Sequence, residues 1–272
     1  MPKRWPGALL VALIAAPAVA AGPAGPSAIV APGGVVRWSG PDLVSCSLEQ
    51  RTWAPLDGAC WYAIDLARSG SLELVRRSRA GLAARRVRVG AYPYPTQRLE
   101  VEEKYVAPPP EERARIAREA GRVAALWPLE TPRRFTLPLA APLAPLPEPA
   151  RFGARRVFNG QPRNPHSGAD FAAAPGTLVR AVADGRVALA EEQYFAGRAV
   201  YVDHGDGLIS MSFHLSEALV RPGEEVRRGQ PIGRTGATGR VTGPHFHFGL
   251  RWHGARVDPA LLLGAAAPVE IP

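Results

Sequence analysis

From about residue 28 to residue 106 the chain alternates apolar and polar positions in short runs separated by turn residues. Val35–Trp38, Ser71–Val75 and Arg86–Val89 each read as a strand with one buried face, because side chains two apart share a face. Tyr92-Pro93-Tyr94-Pro95 marks a turn or a sheet edge, where the missing proline N–H does no harm. After Pro108-Pro109-Pro110 the pattern changes to that of a helix from Glu111 to about Leu126. Its apolar stripe is Ile116, Ala120, Val123 and Ala124, with Trp127 just beyond, and Glu111 and Glu112 stand where the helix dipole favours negative charge. Residues 137–150, LPLAAPLAPLPEPA, hold five prolines and read as an extended linker with a reach of about 43 Å at ~3.1 Å per residue. That reach lets the first domain fold back over the second or hold it at a surface. From Arg151 onward apolar strands alternate with Gly-rich turns, at Arg156–Phe158, Leu178–Leu189, Ala199–Val202, Leu208–Leu215 and His245–Trp252. The expected fold class is mainly β. An N-terminal small β-sandwich-like domain with one helix (21–136) precedes the linker (137–150) and an open antiparallel β-sheet domain (151–272).

Composition narrows the partners. The 272 residues include 28 Gly and 29 Pro, too many helix breakers for a bundle. Lys and Arg number 33 against 24 Asp and Glu, a net charge of +9. All the basic residues except Lys3 and Lys104 are arginine, and they are spread along the chain. A GC-rich genome accounts for this better than nucleic-acid binding, so no nucleic-acid partner is expected. A mild positive field still suits an anionic matrix such as a cell wall. The Arg76 to Arg88 cluster is read as a solvated strand face. Lys3 and Arg4, the apolar run GALLVALIAA at 7–16 and Ala18-Val19-Ala20 form the pattern of a cleaved signal peptide over residues 1–20. The run is too short to cross ~30 Å of hydrocarbon. The expectation is an exported monomer of the periplasm or cell envelope with no transmembrane segment. Cys46 and Cys60 are the two cysteines; in an oxidising compartment they are expected to pair.

All six histidines lie after residue 165, and three settings carry chemistry. In Gly243-Pro244-His245-Phe246-His247-Phe248, a strand puts both imidazoles on one face and both phenyl rings on the other. One imidazole can bind a metal while the other stays free for substrate or water. In His166-Ser167-Gly168-Ala169-Asp170, the imidazole and the carboxylate share a face whether the stretch is extended or helical. Both are acceptable zinc ligands, and with one more imidazole they leave a coordination position open, as catalytic zinc requires. The third setting is His214, inside an apolar strand. There is no H-E-x-x-H, no G-x-S-x-G and no P-loop. His204 reads as structural, His253 as an exposed hairpin residue and Asn159 as a turn former.

The order and wording of these segments resemble the lysostaphin/LytM-type zinc endopeptidases, which cut the peptide part of peptidoglycan. The resemblance covers about Arg151 to Leu263. It rests on N-P-H-S-G-A-D-F, A-P-G-T-L-V-R-A-V-A-D-G-R-V, V-D-H-G-D-G-L, F-H-L-S, G-E-E-V-R-R-G-Q-P-I-G-R-T-G-A-T-G-R-V-T-G-P-H-F-H-F and V-D-P. It implies that His166, Asp170 and His247 ligate Zn2+ and that His214 and His245 are the catalytic pair. It also implies a peptidoglycan substrate and hydrolysis of its peptide cross-bridges. The N-terminal part is more loosely similar to the β domain that precedes the peptidase domain in some secreted members. Ser212 stands where the family usually has Tyr, and Phe246 where it usually has Leu. The alternative is a catalytically silent wall-binding protein or an activator of another cell-wall hydrolase.

Overall fold

A computed structural model describes residues 28–272. The signal-like segment lies outside the described residues. The N-terminal part folds as the strand patterns predict. One sheet runs in the order Ala28–Val30, Gly81–Val89, Gly70–Ser78, Leu43–Leu48, Arg51–Trp53. Alternation sets its faces: Leu72, Leu74, Val87 and Val89 are buried while Ser71, Glu73, Arg86 and Arg88 are exposed. The second sheet pairs Val35–Ser39 with Ala59–Ala63. Val36, Trp38, Tyr62 and Ile64 meet the first sheet in a common core. The disulfide Cys46–Cys60 joins a strand of each sheet. The arginine cluster is divided. Arg76 and Arg85 cover the Trp38 ring, at 4.2 and 5.4 Å from its centre, so part of it packs against the sandwich instead of facing water.

The third strand of that second sheet comes from the far end of the chain. Val269–Ile271 pairs in parallel with Val36–Trp38, and Arg37 binds Glu270 across the pair. The two regions also meet through Asp65, which accepts the Arg256 guanidinium at 2.9 and 2.6 Å and the Arg256 N–H at 2.9 Å. Burial opposes the Asp65 charge, but these bonds outweigh it and pull its pKa down to about 2. His253 is not the exposed hairpin residue that its turn suggests. It stacks on Trp53 at 4.2 Å between ring centres.

The C-terminal part is an antiparallel nine-stranded sheet. Its main path is Ala169–Phe171, Phe246–Trp252, Leu208–Ala218, Gly197–Asp203, Gly185–Gln193, Glu225–Val226. Pro231–Thr235 links Leu208–Ala218 to Leu178–Arg180, and Ala255–Val257 pairs with Phe246–Trp252. A small fourth sheet joins the two halves of the chain: Thr96–Leu99 pairs in parallel with Arg155–Phe158, which forms a hairpin with Gln161–Arg163. Asn159 and Gly160 turn that hairpin with φ of +47° and +78°, the left-handed pair that a two-residue type I′ turn needs.

Two connecting segments behave differently from their sequence patterns. The helix is Pro110–Ala124, with Pro at its first turn. It docks on the C-terminal sheet, where Val123, Leu126 and Trp127 pack with Tyr201, Ile209 and Met211. Ala120 and Ala124 of the expected stripe face solvent, and Glu119 is buried instead. The Glu119 carboxylate accepts the Tyr194 N–H at 2.9 Å and the Arg115 guanidinium at 2.7 Å, so its charge is satisfied where an alanine was expected. The proline-rich stretch does not span a gap. Leu139 and Leu143 are buried in the main core of the C-terminal sheet, with Leu137 and Leu146 against it. Three of its amide groups are fixed to neighbouring backbone: Leu139 N–H donates to Leu262 O and Ala140 N–H to Val182 O, both at 2.8 Å, and Ala150 N–H to Asp170 O at 3.1 Å. Proline brings no donor to satisfy, so a Leu/Pro alternation can line a core without a regular ladder.

Candidate active site

Neighbouring strands bring the predicted residues to one place. Asp170 is the middle residue of Ala169–Phe171 and lies directly opposite His247. His247 in turn lies opposite Phe213, whose ring stacks on the imidazole at 5.1 Å and 6°. Phe246 and Phe248 fill the core on the other face, as the two-residue period requires. His166 precedes this strand on a loop clamped by backbone bonds, His166 N–H to Ala154 O at 2.9 Å and Gly153 N–H to His166 O at 2.8 Å.

His166 Nε2, His247 Nδ1 and Asp170 Oδ1 form a triangle with sides of 2.8, 3.0 and 3.2 Å. All three residues are buried. His166 Nδ1 donates to Arg151 O at 2.8 Å, so a neutral ring turns its unprotonated Nε2 toward the other two. Burial lowers the His166 pKa to about 4 and also lowers that of His247. Burial works against charge on Asp170 too, yet the contacts from His166 and His247 prevail and hold its carboxyl well below the usual range. Two imidazoles and an ionised carboxylate crowded this closely make a concentrated electron-pair donor set. Bonds of 2.0–2.1 Å to a tetrahedral zinc would set donor atoms about 3.3 Å apart, close to what is found, so the donor set fits the metal. Gly168 leaves the room: a Cβ there would stand 2.6 Å from His247 Nε2.

His214 and His245 stand beside the triangle, 5.0 Å apart between ring centres. Each directs Nδ1 to a backbone carbonyl, His214 to Thr238 O and His245 to Gly243 O, both at 2.9 Å. In the neutral form each therefore presents an unprotonated Nε2; that of His245 lies 3.6 Å from Asp170 Oδ1. His214 has φ +60°, an uncommon conformation for a non-glycine residue that clusters at functional sites. Its N–H is held by Ala196 O at 2.9 Å. Burial, followed by His247 and His245, lowers its pKa to about 3.

The structure thus gathers all five expected residues in one groove. His204 lies elsewhere, buried and bonded through Nδ1 to Asp184 O and through Nε2 to Ser210 Oγ, each at 2.8 Å. Asn159 bonds Val101 and Glu103, not the triangle. Ser212 is buried in its strand opposite Phe248. Sequence reasoning missed Arg151, Arg156 and Arg240, which also line the groove, and Leu99 and Val101, which supply part of its wall from the N-terminal half. The only local signal was an arginine inside the Gly-rich run G-A-T-G-R-V-T-G.

Residues 164–259 match the sequence profile of Peptidase family M23. A crystal structure of a putative peptidase M23 from Pseudomonas aeruginosa superposes with a TM-score of 0.66 at 33% identity, covering 87% of this chain and 96% of that one. The chain belongs to peptidase family M23. The agreement with that M23 structure extends through the N-terminal half, well beyond the profile match. The chain is 45% identical over 110 residues to peptidoglycan DD-endopeptidase ShyA of Vibrio cholerae, covering 40% of this chain and 26% of ShyA. It is 42% identical over 92 residues to the murein hydrolase activator EnvC of Escherichia coli, covering 34% of this chain and 22% of EnvC. The chain therefore matches only about a quarter of the length of these named relatives. Among the described residues no helix is long and apolar enough to cross a membrane.

Proposed function

We propose that the protein is a zinc-dependent endopeptidase that hydrolyses peptide cross-bridges of peptidoglycan, exported to the cell envelope by the segment at residues 1–20. The observation that carries this reading is the convergence of a buried His-Asp-His triangle and two further imidazoles on one groove. His166, Asp170 and His247 would hold the metal. Bound there, zinc would supply Lewis acidity toward a peptide carbonyl and toward water.

The remaining work falls to the chain. The Gly243 carbonyl fixes the His245 tautomer, so Nε2 is the atom that takes a proton from the attacking water. Once protonated, the same nitrogen can return the proton to the departing amine. His214, fixed by the Thr238 carbonyl, holds a second Nε2 across the groove. A neutral His214 accepts there, and only its protonated form donates to a developing oxyanion. The half-buried Phe213 ring and the Leu99 and Val101 side chains give the groove apolar surface beside these groups.

A second reading, a silent activator of another hydrolase, is favoured by the likeness to EnvC. Zinc content and turnover of purified cross-linked wall separate the two. The endopeptidase reading expects stoichiometric zinc and release of uncross-linked muropeptides. His245→Ala should keep zinc and lose at least about a hundredfold in turnover, whereas His247→Ala should lose both. Loaded zinc with no turnover on any wall preparation would favour the activator.

A further inference from the structure

The groove holds more positive charge than the protein itself neutralises. Arg240 lies 4.8 Å from the Phe158 ring and 4.8 Å from the Phe195 ring. Arg156 lies 5.8 Å from the same Phe158 ring. Both are largely buried in the groove wall. Among the described residues no hydrogen bond or ion pair reaches the Arg240 guanidinium. The single anion near Arg156 is Asp170, at 3.9 Å, and that carboxylate already serves the metal-ligand triangle. The Arg156 Nε is buried with no partner. Arg163 adds to the field but is itself held by Val106 O and Gln161. Burial, then Arg156 and Arg163, lowers the Arg240 pKa to about 10.

Buried charges in proteins are normally paired. Two guanidiniums sharing one phenyl ring and lining a cleft have the chemistry of an anion receptor. We infer that Arg156 and Arg240 form a subsite that binds a free carboxylate of the peptide substrate, beside the scissile bond. The inference rests on the peptidase reading for the identity of the ligand, because the anions of a peptide are carboxylates. The planar guanidinium fork is the side chain best matched to that group. The phenyl rings of Phe158 and Phe195 hold the Arg240 fork by cation–π contact, leaving its donors for the ligand. The carboxylate belongs either to a chain terminus or to an acidic side chain near the bond that is cut.

The test uses the full zinc-loaded chain and a soluble cross-linked muropeptide dimer. Three forms of the dimer are compared: carboxylates free, the terminal α-carboxylate amidated, and the side-chain carboxylate amidated. One amidation should raise KM by about tenfold or more, the loss of a charge-assisted pair, and which one does so identifies the source. Arg240→Gln should raise KM on the free-acid dimer by a similar factor with little change in kcat, and should abolish the discrimination between forms. Arg240→Lys, which keeps the charge and most of the stem, should retain part of it and guards against a folding defect in the first variant. Calorimetric binding of the same three dimers to the turnover-deficient His245→Ala protein provides a second readout. Equal KM and equal binding for all three forms would overturn the subsite, as would discrimination by Arg240→Gln equal to that of the unmodified protein. A free-acid preference in binding that Arg240→Gln abolishes, without turnover of any form, would keep the subsite and overturn the endopeptidase reading.

Discussion

The two β regions both have apolar cores but differ in what else they bury. Among the described residues, no buried Asp, Glu, His, Ser or Thr side chain lies in the N-terminal sandwich, where the buried Tyr62 hydroxyl donates to Val75 O at 2.8 Å. Its core is Trp38, Tyr62, Ile64 and aliphatic residues, closed by a disulfide. The C-terminal sheet buries His166, Asp170, His204, Ser210, Ser212, His214, Thr235 and His247. Apolar burial drives both folds, but among the described residues only the second region buries imidazoles, and each of them has a named partner. Four of these eight buried polar side chains, His166, Asp170, His214 and His247, line the groove. His204 and Ser210 do not, so buried polarity by itself does not mark the site; convergence on an open cleft does.

The comparison breaks most visibly at Asp170. Asp170→Ala removes one ligand and its charge, so elemental analysis should find zinc lost and turnover abolished, while unfolding of the N-terminal sandwich is unaffected. Full zinc occupancy in that variant would remove Asp170 from the ligand set.

The next largest effect concerns the boundary between the regions. A chain beginning at Arg151 loses Phe135, Leu139 and Leu143 from the core of the C-terminal sheet. At about 1.5–3 kcal/mol for each buried side chain, and with a typical domain stable by only about 5–15 kcal/mol, this shortened chain should not fold cooperatively. Circular dichroism melting tests this. A sharp transition and normal zinc binding would show that the proline-rich segment is dispensable after all.

His204 sharpens the contrast through pH. Burial lowers its pKa from 6.5 to about 4. Between those values the unfolded chain binds a proton that the folded chain refuses. Its contribution is therefore complete above pH 6.5 and disappears as pH falls through 4, on the order of 3 kcal/mol in all. Chemical denaturation of His204→Asn should show a shallower loss of stability across this window than the unmodified protein. Equal slopes would place the titration elsewhere.

On the other side of the comparison, Cys46→Ser with Cys60→Ser should cost roughly 3 kcal/mol while leaving zinc content unchanged. A loss of zinc in that variant would tie the sandwich to the site more closely than the packing indicates.

The sequence was informative where a local pattern determines a side chain's surroundings. His245 and His247 share a strand face with phenyl rings behind them, and His166 and Asp170 sit four apart, so a period of two and a familiar order of motifs were enough to collect all five residues. The strands at Val35–Ser39, Gly70–Ser78 and Gly81–Val89 were legible for the same reason. What escaped depends on distant partners. Glu119 is buried because Tyr194 N–H meets its carboxylate, which no helical stripe reveals. His253 is covered by Trp53 from the other region. Leu139 and Leu143 looked like linker because prolines surround them, and the same prolines are what allow the segment to enter a core. Arg156 and Phe158 sit on one strand, and Arg240 joins them only after its loop has folded against that strand.

The strand Val269–Ile271 has one further consequence, for the order in which the molecule is completed. Arg37 and Glu270, which bond across that strand pair, are 233 positions apart in sequence. A ribosome delivers Arg37 long before Glu270, and a transport pore that admits the chain from its N-terminus does the same. The first sandwich must therefore wait with an open edge beside Val36 and Trp38 until the whole peptidase sheet has been made. Contacts of such separation are slow to form, and this one is placed so that the first region to emerge is the last to close.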